Sequence, residues 1–247
     1  MHKIRQFCGD IPCAFLLRIS GAMIEELIIR ALCDTIPEKP VDGLFLFGQT
    51  EDNQQAALET ARTFLQSGRT DKVLCLGTKA MSGYPGFEVW KKEMIKLGIE
   101  EEQLIPVPPV PADTDLLHTL IEATSVVRYA KEQGYKKLVV TAAPFQQPRA
   151  FMTAITAAFR EYPELYLYSL PGKAMPWQEE VTHSQGKLED TRAGLIGGEM
   201  APARRCLGQH DGARHVGDLV EGGRQHEWPQ LRSLFAEAIQ GARVGAM

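Results

Sequence analysis

Apolar residues in this chain fall into short unbroken runs separated by longer stretches of helical spacing. Leu44-Phe45-Leu46-Phe47 is the first run and ends at Gly48. Runs of this kind, four to eight residues long and apolar on both faces, predict buried parallel strands. Further runs follow at Lys72 to Leu76, Leu104 to Val107, Leu138 to Val140 and Leu165 to Leu170. Between them the pattern predicts helices that stop at glycine: one to about Ser67 before Gly68, one from about Phe87 to Leu97 before Gly98, and one to Gln133 before Gly134. A fourth begins near Pro148, which suits a first helical turn, and ends near Arg160.

Two helix starts carry capping signals. Asp52, followed three residues later by Gln55, reads as a capping box for the first helix. The third helix has two candidate starts, Asp113, or Thr119 with Glu122 as a T-x-x-E box. The proline-rich stretch from Pro106 to Pro111 cannot be helical, because proline removes a donor and restricts the preceding residue.

Strands alternating with helices through short connections predict an α/β fold, a Rossmann-like doubly wound parallel sheet of about five strands. The expected organisation is a helical N-terminal segment over 1–40, the sheet core over 41–187, and a C-terminal tail over 188–247 that is partly helical or poorly ordered. Composition marks the tail. All twelve lysines lie in residues 1–187, whereas ten of the 22 glycines and three of the six histidines lie in the last 60 residues. A shift this abrupt is also what a changed reading frame or a replaced C-terminus leaves. Within the tail, Leu231, Leu234, Phe235 and Ile239 recover helical spacing. His210, Asp211, His215, Asp218 and His226 have a metal-binding composition without a standard ligand spacing, and the favoured reading is a solvated segment.

Charge and cysteine content narrow the function classes. A net charge of -4 gives no electrostatic footprint for nucleic acid. The apolar stretch from Ile11 to Leu32 is broken by Arg18, Glu25, Glu26 and Arg30, so it reads as a packed helix and not as an integral membrane segment. Five cysteines, an odd number without a CxxC pair, suit a reducing compartment, and a cytoplasmic location is expected.

In open parallel sheets, ligands bind beyond the carboxyl ends of the strands. That rule selects Gly48, Gln49 and Asn53 after the first strand, Gly77 and Thr78 after the second with Glu88 in the following helix, His118, Thr119 and Glu122 after the third, and Phe145, Gln146 and Arg149 after the fourth. Structural readings compete at each position. The glycines permit tight turns, Thr119 and Glu122 cap a helix, and His118 with Glu122 is an i, i+4 pair too small for a metal site. No metal is expected. Arg149, in a first helical turn, opposes the macrodipole and calls for an anionic partner, either Glu88, Glu122 or a ligand phosphate. The first turn reads Gly48-Gln49-Thr50-Glu51-Asp52-Asn53, not GxGxxG, so a standard dinucleotide site is not expected, and no Walker A, GxSxG or HExxH sequence occurs.

Taken in order, Gly48, the glycine loop with Glu88, His118-Thr119-x-x-Glu122-Ala123, and Thr141-Ala142-Ala143-Pro144-Phe145-Gln146-Gln147-Pro148-Arg149-Ala150 resemble the bacterial SanA/ElyC/YdcF-like family over about residues 41–187. The segment from Pro176 to Gly186, with His183, is similar to a closing segment of some members. The resemblance implies a Rossmann-like fold, a polar pocket at the strand ends, a nucleotide-like or phosphorylated small-molecule ligand, and a link to cell-envelope biogenesis. It fixes neither a reaction nor an oligomeric state. Glu88, Glu122 and His118 are the expected acid/base or ligand-orienting groups, and Arg149 the expected anion clamp. The chain departs from the family pattern where His118 replaces an asparagine, where Gly77-Thr78 replaces a Ser-Gly-Gly turn, and where Gln146 replaces a histidine. Glutamine hydrogen-bonds but exchanges no proton near neutral pH, so either that role is lost here or His118 or His183 supplies it in space.

Overall fold

The computed structural model describes residues 28–183 and 188–206, with side chains through residue 199. Helical residues 28–33 lead into β1 (Gly43–Leu46), followed by α1 (Gln54–Gln66), β2 (Val73–Leu76), α2 (Phe87–Lys96) and a 3-10 turn (Glu101–Gln103). Next come β3 (Leu104–Val107), α3 (Thr119–Gln133), β4 (Lys137–Thr141), α4 (Gln147–Glu161) and β5 (Tyr166–Ser169). A short hairpin, β6 (Glu180–Thr182) and β7 (Glu189–Thr191), and then α5 (Arg192–Cys206) complete the described chain. The tail residues 207–247, with the expected helix around Leu231 and the histidine-rich stretch from His210 to His226, lie outside the described residues, as does most of the N-terminal segment.

The five strands β1 to β5 form one parallel sheet in the order β3-β2-β1-β4-β5. The fold is a Rossmann-like doubly wound α/β sheet. Strand alternation sorts the core into two layers. Leu44 and Leu46 face one side and pack with Ala57, Leu58 and Ala61 of α1 and Trp90 and Met94 of α2. Phe45 and Phe47 face the other side and pack with Val126, Val127 and Ala130 of α3 and Phe151 and Ala154 of α4. Gly68, Gly98 and Gly134, the expected helix stops, all have positive φ.

Two capping expectations are corrected. The N-cap of α1 is Asn53, not Asp52, and its side chain makes no cap bond. The Asp52 carboxylate instead accepts the backbone N–H of Thr182 at 3.0 Å. The N-cap of α3 is His118, so Thr119 is already the first helical residue, and no capping box forms there. Both displaced side chains make tertiary bonds in place of local ones.

The hairpin β6–β7 was not legible in the sequence. It closes over the start of α1, and it straddles residue 187, where the composition changes. Arg192, 2% exposed, holds it there. Its guanidinium donates to Asn53 Oδ1 (2.8 Å), to the carbonyl oxygens of Asp52 (2.8 Å) and Pro176 (2.9 Å), and to the Glu179 carboxylate. Val181 and Leu195 add an apolar patch against Ala56, Ala143 and Phe145. Buried Gln147 spans the β4 end, accepting from Ala142 N–H and donating to Val140 O and Ser169 Oγ. Ser169 Oγ in turn donates to Ala31 O, tying residues 28–33 to β5. Among the described residues no helix is long and apolar enough to cross a membrane.

Candidate functional site

The strand order places the switch point between β1 and β4. The chain winds outward from β1 through β2 to β3, then crosses back by α3 to β4 on the other side of β1. Connections leave these two strands in opposite directions, which opens a crevice at their carboxyl ends. Gly48, Leu117, His118, Thr119, Glu122, Gln146 and Arg149 line that crevice, whose cavity of about 10 Å³ has room for about one water.

Glu122 is the central group. Its side chain points away from its own helix cap, and Oε1 accepts the backbone N–H of Gly48 at 2.6 Å. A Cβ on residue 48 would lie 3.1 Å from that same oxygen, 3.2 Å from Leu117 Cδ2 and 3.3 Å from Tyr84 Cδ2, so glycine is what allows this approach. Burial disfavours the charged carboxylate and raises the Glu122 pKa from 4.5 to about 7, although the Gly48 hydrogen bond and the Arg149 charge pull the other way. Near neutral pH this group therefore exchanges a proton readily, which an ordinary surface glutamate does not do.

Arg149 approaches from the first turn of α4. Its expected partners, Glu88 and Glu122, are not the ones it pairs with. Nη1 donates to Thr119 Oγ1, while Nε and Nη2 grip the carboxylate of Glu199 from α5, with Nη2 to Oε1 at 3.0 Å. Glu199 is 3% exposed. Burial alone would raise its pKa, but the hydrogen bond from His183 and the Arg149 charge outweigh it and hold the carboxyl below its usual value. His183 Nε2 lies 2.7 Å from Glu199 Oε1. His118 faces the crevice mouth with one side open to water. Its Nδ1 accepts Ile121 N–H at 3.4 Å. Partial burial and the Arg149 charge both lower its pKa and so favour the neutral ring.

Six of the thirteen selected residues thus meet: Gly48, His118, Thr119, Glu122, Gln146 and Arg149. His183 joins them one step removed, through Glu199. The others serve elsewhere. Glu88 is exposed on α2 and lines no part of the crevice. Gln49 turns back to donate to Phe47 O at 3.0 Å. Asn53 receives Arg192 and donates to Thr50 Oγ1. Phe145 packs against Val181 and Leu195. Gly77 sits against Pro106 of β3, where a Cβ would meet Pro106 Cβ at 2.9 Å, and Thr78 O accepts Phe87 N–H. Gly77, Thr78 and Glu88 follow β2, which lies one strand further from the switch point than β1. Leu117 and Glu199 were missed. Glu199 lies 50 residues from Arg149, in a helix whose sequence carries little amphipathic signal, and no local pattern pairs them.

No protein-family model, curated protein or solved structure matches this chain. Among the described residues no group of three or more His, Cys, Asp or Glu side chains could hold a metal ion.

Proposed function

We propose that this protein binds the phosphoryl end of a phosphorylated or nucleotide-like small molecule at the mouth of the β1/β4 crevice, and that Glu122 moves a proton there. The observation that carries this reading is Glu122 itself, a buried carboxyl with a pKa of about 7 at the switch point beside a cation. With Oε1 occupied by Gly48 N–H, its proton belongs on Oε2. The protonated form can hand that proton to a leaving oxygen, and the ionised form can take one from a water or hydroxyl. Arg149 and the N–H groups at the start of α4 favour an anion in the same place. The crevice itself, at about 10 Å³, has room for about one water molecule, so the phosphoryl end would sit at its mouth with the rest of the ligand outside.

The residues quoted above make the chain a divergent relative of the SanA/ElyC/YdcF-like proteins in this reading, soluble and cytoplasmic, with a role linked to the cell envelope. Gln146 favours a second reading, a non-catalytic binding module, because it stands where the family segment has a histidine, which exchanges protons near neutral pH. A panel of phosphomonoesters, pyrophosphates and nucleotide sugars separates the two. Turnover that Glu122→Gln abolishes while the fold persists supports catalysis. Binding of panel members without turnover supports the module, and neither binding nor turnover across the panel overturns both.

A further inference from the structure

Five N–H donors radiate from the Arg149 guanidinium, and the chain itself claims a specific subset of them. The Nε–Nη2 edge is taken by both carboxylate oxygens of Glu199, the fork-to-fork arrangement that fixes a guanidinium in plane. Thr119 Oγ1 takes one Nη1 hydrogen. This leaves one hydrogen on each terminal nitrogen, Nη1 and Nη2. Arg149 lines the crevice with Gly48, His118, Glu122 and Gln146, whereas Glu199 and His183 do not. The carboxylate therefore grips the guanidinium from outside the crevice and does not fill it. Glu199 is itself held, at 3% exposure, by His183 Nε2 at 2.7 Å.

We infer that Glu199 is a positioning residue, which through its grip on Nε and Nη2, steadied by His183, holds Arg149 with its remaining N–H donors available to an anionic phosphoryl group at the crevice mouth. This rests on the anion-binding part of the function proposed above and deepens it. An arginine on a flexible stem loses side-chain entropy each time it closes on an anion, and a guanidinium already locked in plane loses little. Glu199 also explains how a cation can sit in the first turn of α4 against the helix field, since its charge balances Arg149 whether or not a ligand is present.

The test uses the full chain labelled with ¹⁵N and inorganic phosphate as the probe. In the wild type, phosphate should shift the Gly48 amide, and the Arg149 Nε–H should be visible and protected from solvent exchange. Arg149→Ala should abolish the phosphate response. Glu199→Ala should weaken phosphate binding by about tenfold or more, as loss of an orienting partner does elsewhere, and should expose the Arg149 Nε–H to exchange. Glu199→Gln, which keeps the shape and one acceptor, should fall between the two, and it decides the matter if Glu199→Ala does not fold. Phosphate binding lost in Arg149→Ala but unchanged in both Glu199 variants, with the Nε–H still protected, overturns the positioning role and leaves the proposed anion site standing. No phosphate response in the wild type overturns both.

Discussion

Replacing Glu122 by glutamine should stabilise the protein, and increasingly so as pH rises. The side chain is buried and its carboxyl ionises near 7 instead of at 4.5. Below both values the group is protonated in the folded and unfolded chains and contributes no pH dependence. Between them the unfolded chain releases the proton and the folded chain keeps it, so stability falls with rising pH until the folded group also ionises. The full difference corresponds to about 3 kcal/mol, which is fully lost only above pH 7. Glutamine has almost the same shape, can still accept Gly48 N–H through its oxygen, and has no charge to desolvate. The stability difference between Glu122→Gln and wild type should therefore grow by roughly 2–3 kcal/mol from about pH 5 to about pH 8. Urea unfolding at several pH values measures it. His118, whose pKa burial and Arg149 lower, makes both proteins less stable as pH falls below its ordinary value of 6.5, and it largely cancels in the difference. Glu199, held below its usual pKa, acts only at more acid pH, where stability is lost as it protonates. Two stability profiles that run parallel across this window would refute the claim that Glu122 is buried against its charge.

Other positions test the frame around the crevice. Arg192→Ala leaves Asn53 Oδ1 and two backbone carbonyls without their donor; it should cost roughly 2–4 kcal/mol and make the segment around 172–192 the first site cut in limited proteolysis. Gly172→Ala places a methyl 2.7 Å from Ala142 O and 2.9 Å from Ala56 O, and thermal unfolding should register a loss of roughly 1–3 kcal/mol. Gln147→Leu keeps the volume but strands Ala142 N–H and leaves Val140 O with only its bond from Leu170 N–H; a loss of roughly 1–3 kcal/mol in denaturant is expected, with faster amide exchange at Ala142, and a neutral effect would mean that water replaces the side chain.

The amino-acid sequence alone determined the sheet. Apolar runs such as Leu44 to Phe47 and helix stops such as Gly134 act within a few residues, so local propensity and periodicity reveal them. Six crevice residues were legible for a related reason: in a parallel sheet all carboxyl ends lie on one side, and a residue just past a strand is already near a ligand. Tertiary structure alone decided which strand ends count. With β1 beside β4, the Gly48, Glu122 and Arg149 clusters meet, while Gly77, Thr78 and Glu88, equally plausible by position, are carried toward β3. It also decided between two uses of the same side chain. Thr119 and Glu122 fit a capping box, yet Arg149 and Gly48 N–H, distant in sequence, take those oxygens instead. The hairpin β6–β7 escaped notice because its three-residue strands are short and charged, and its position depends on Arg192 reaching Asn53 across 139 residues. Long-range pairs of this kind leave no periodic trace in the chain, because their energy arises from burial and partners that exist only once it has folded.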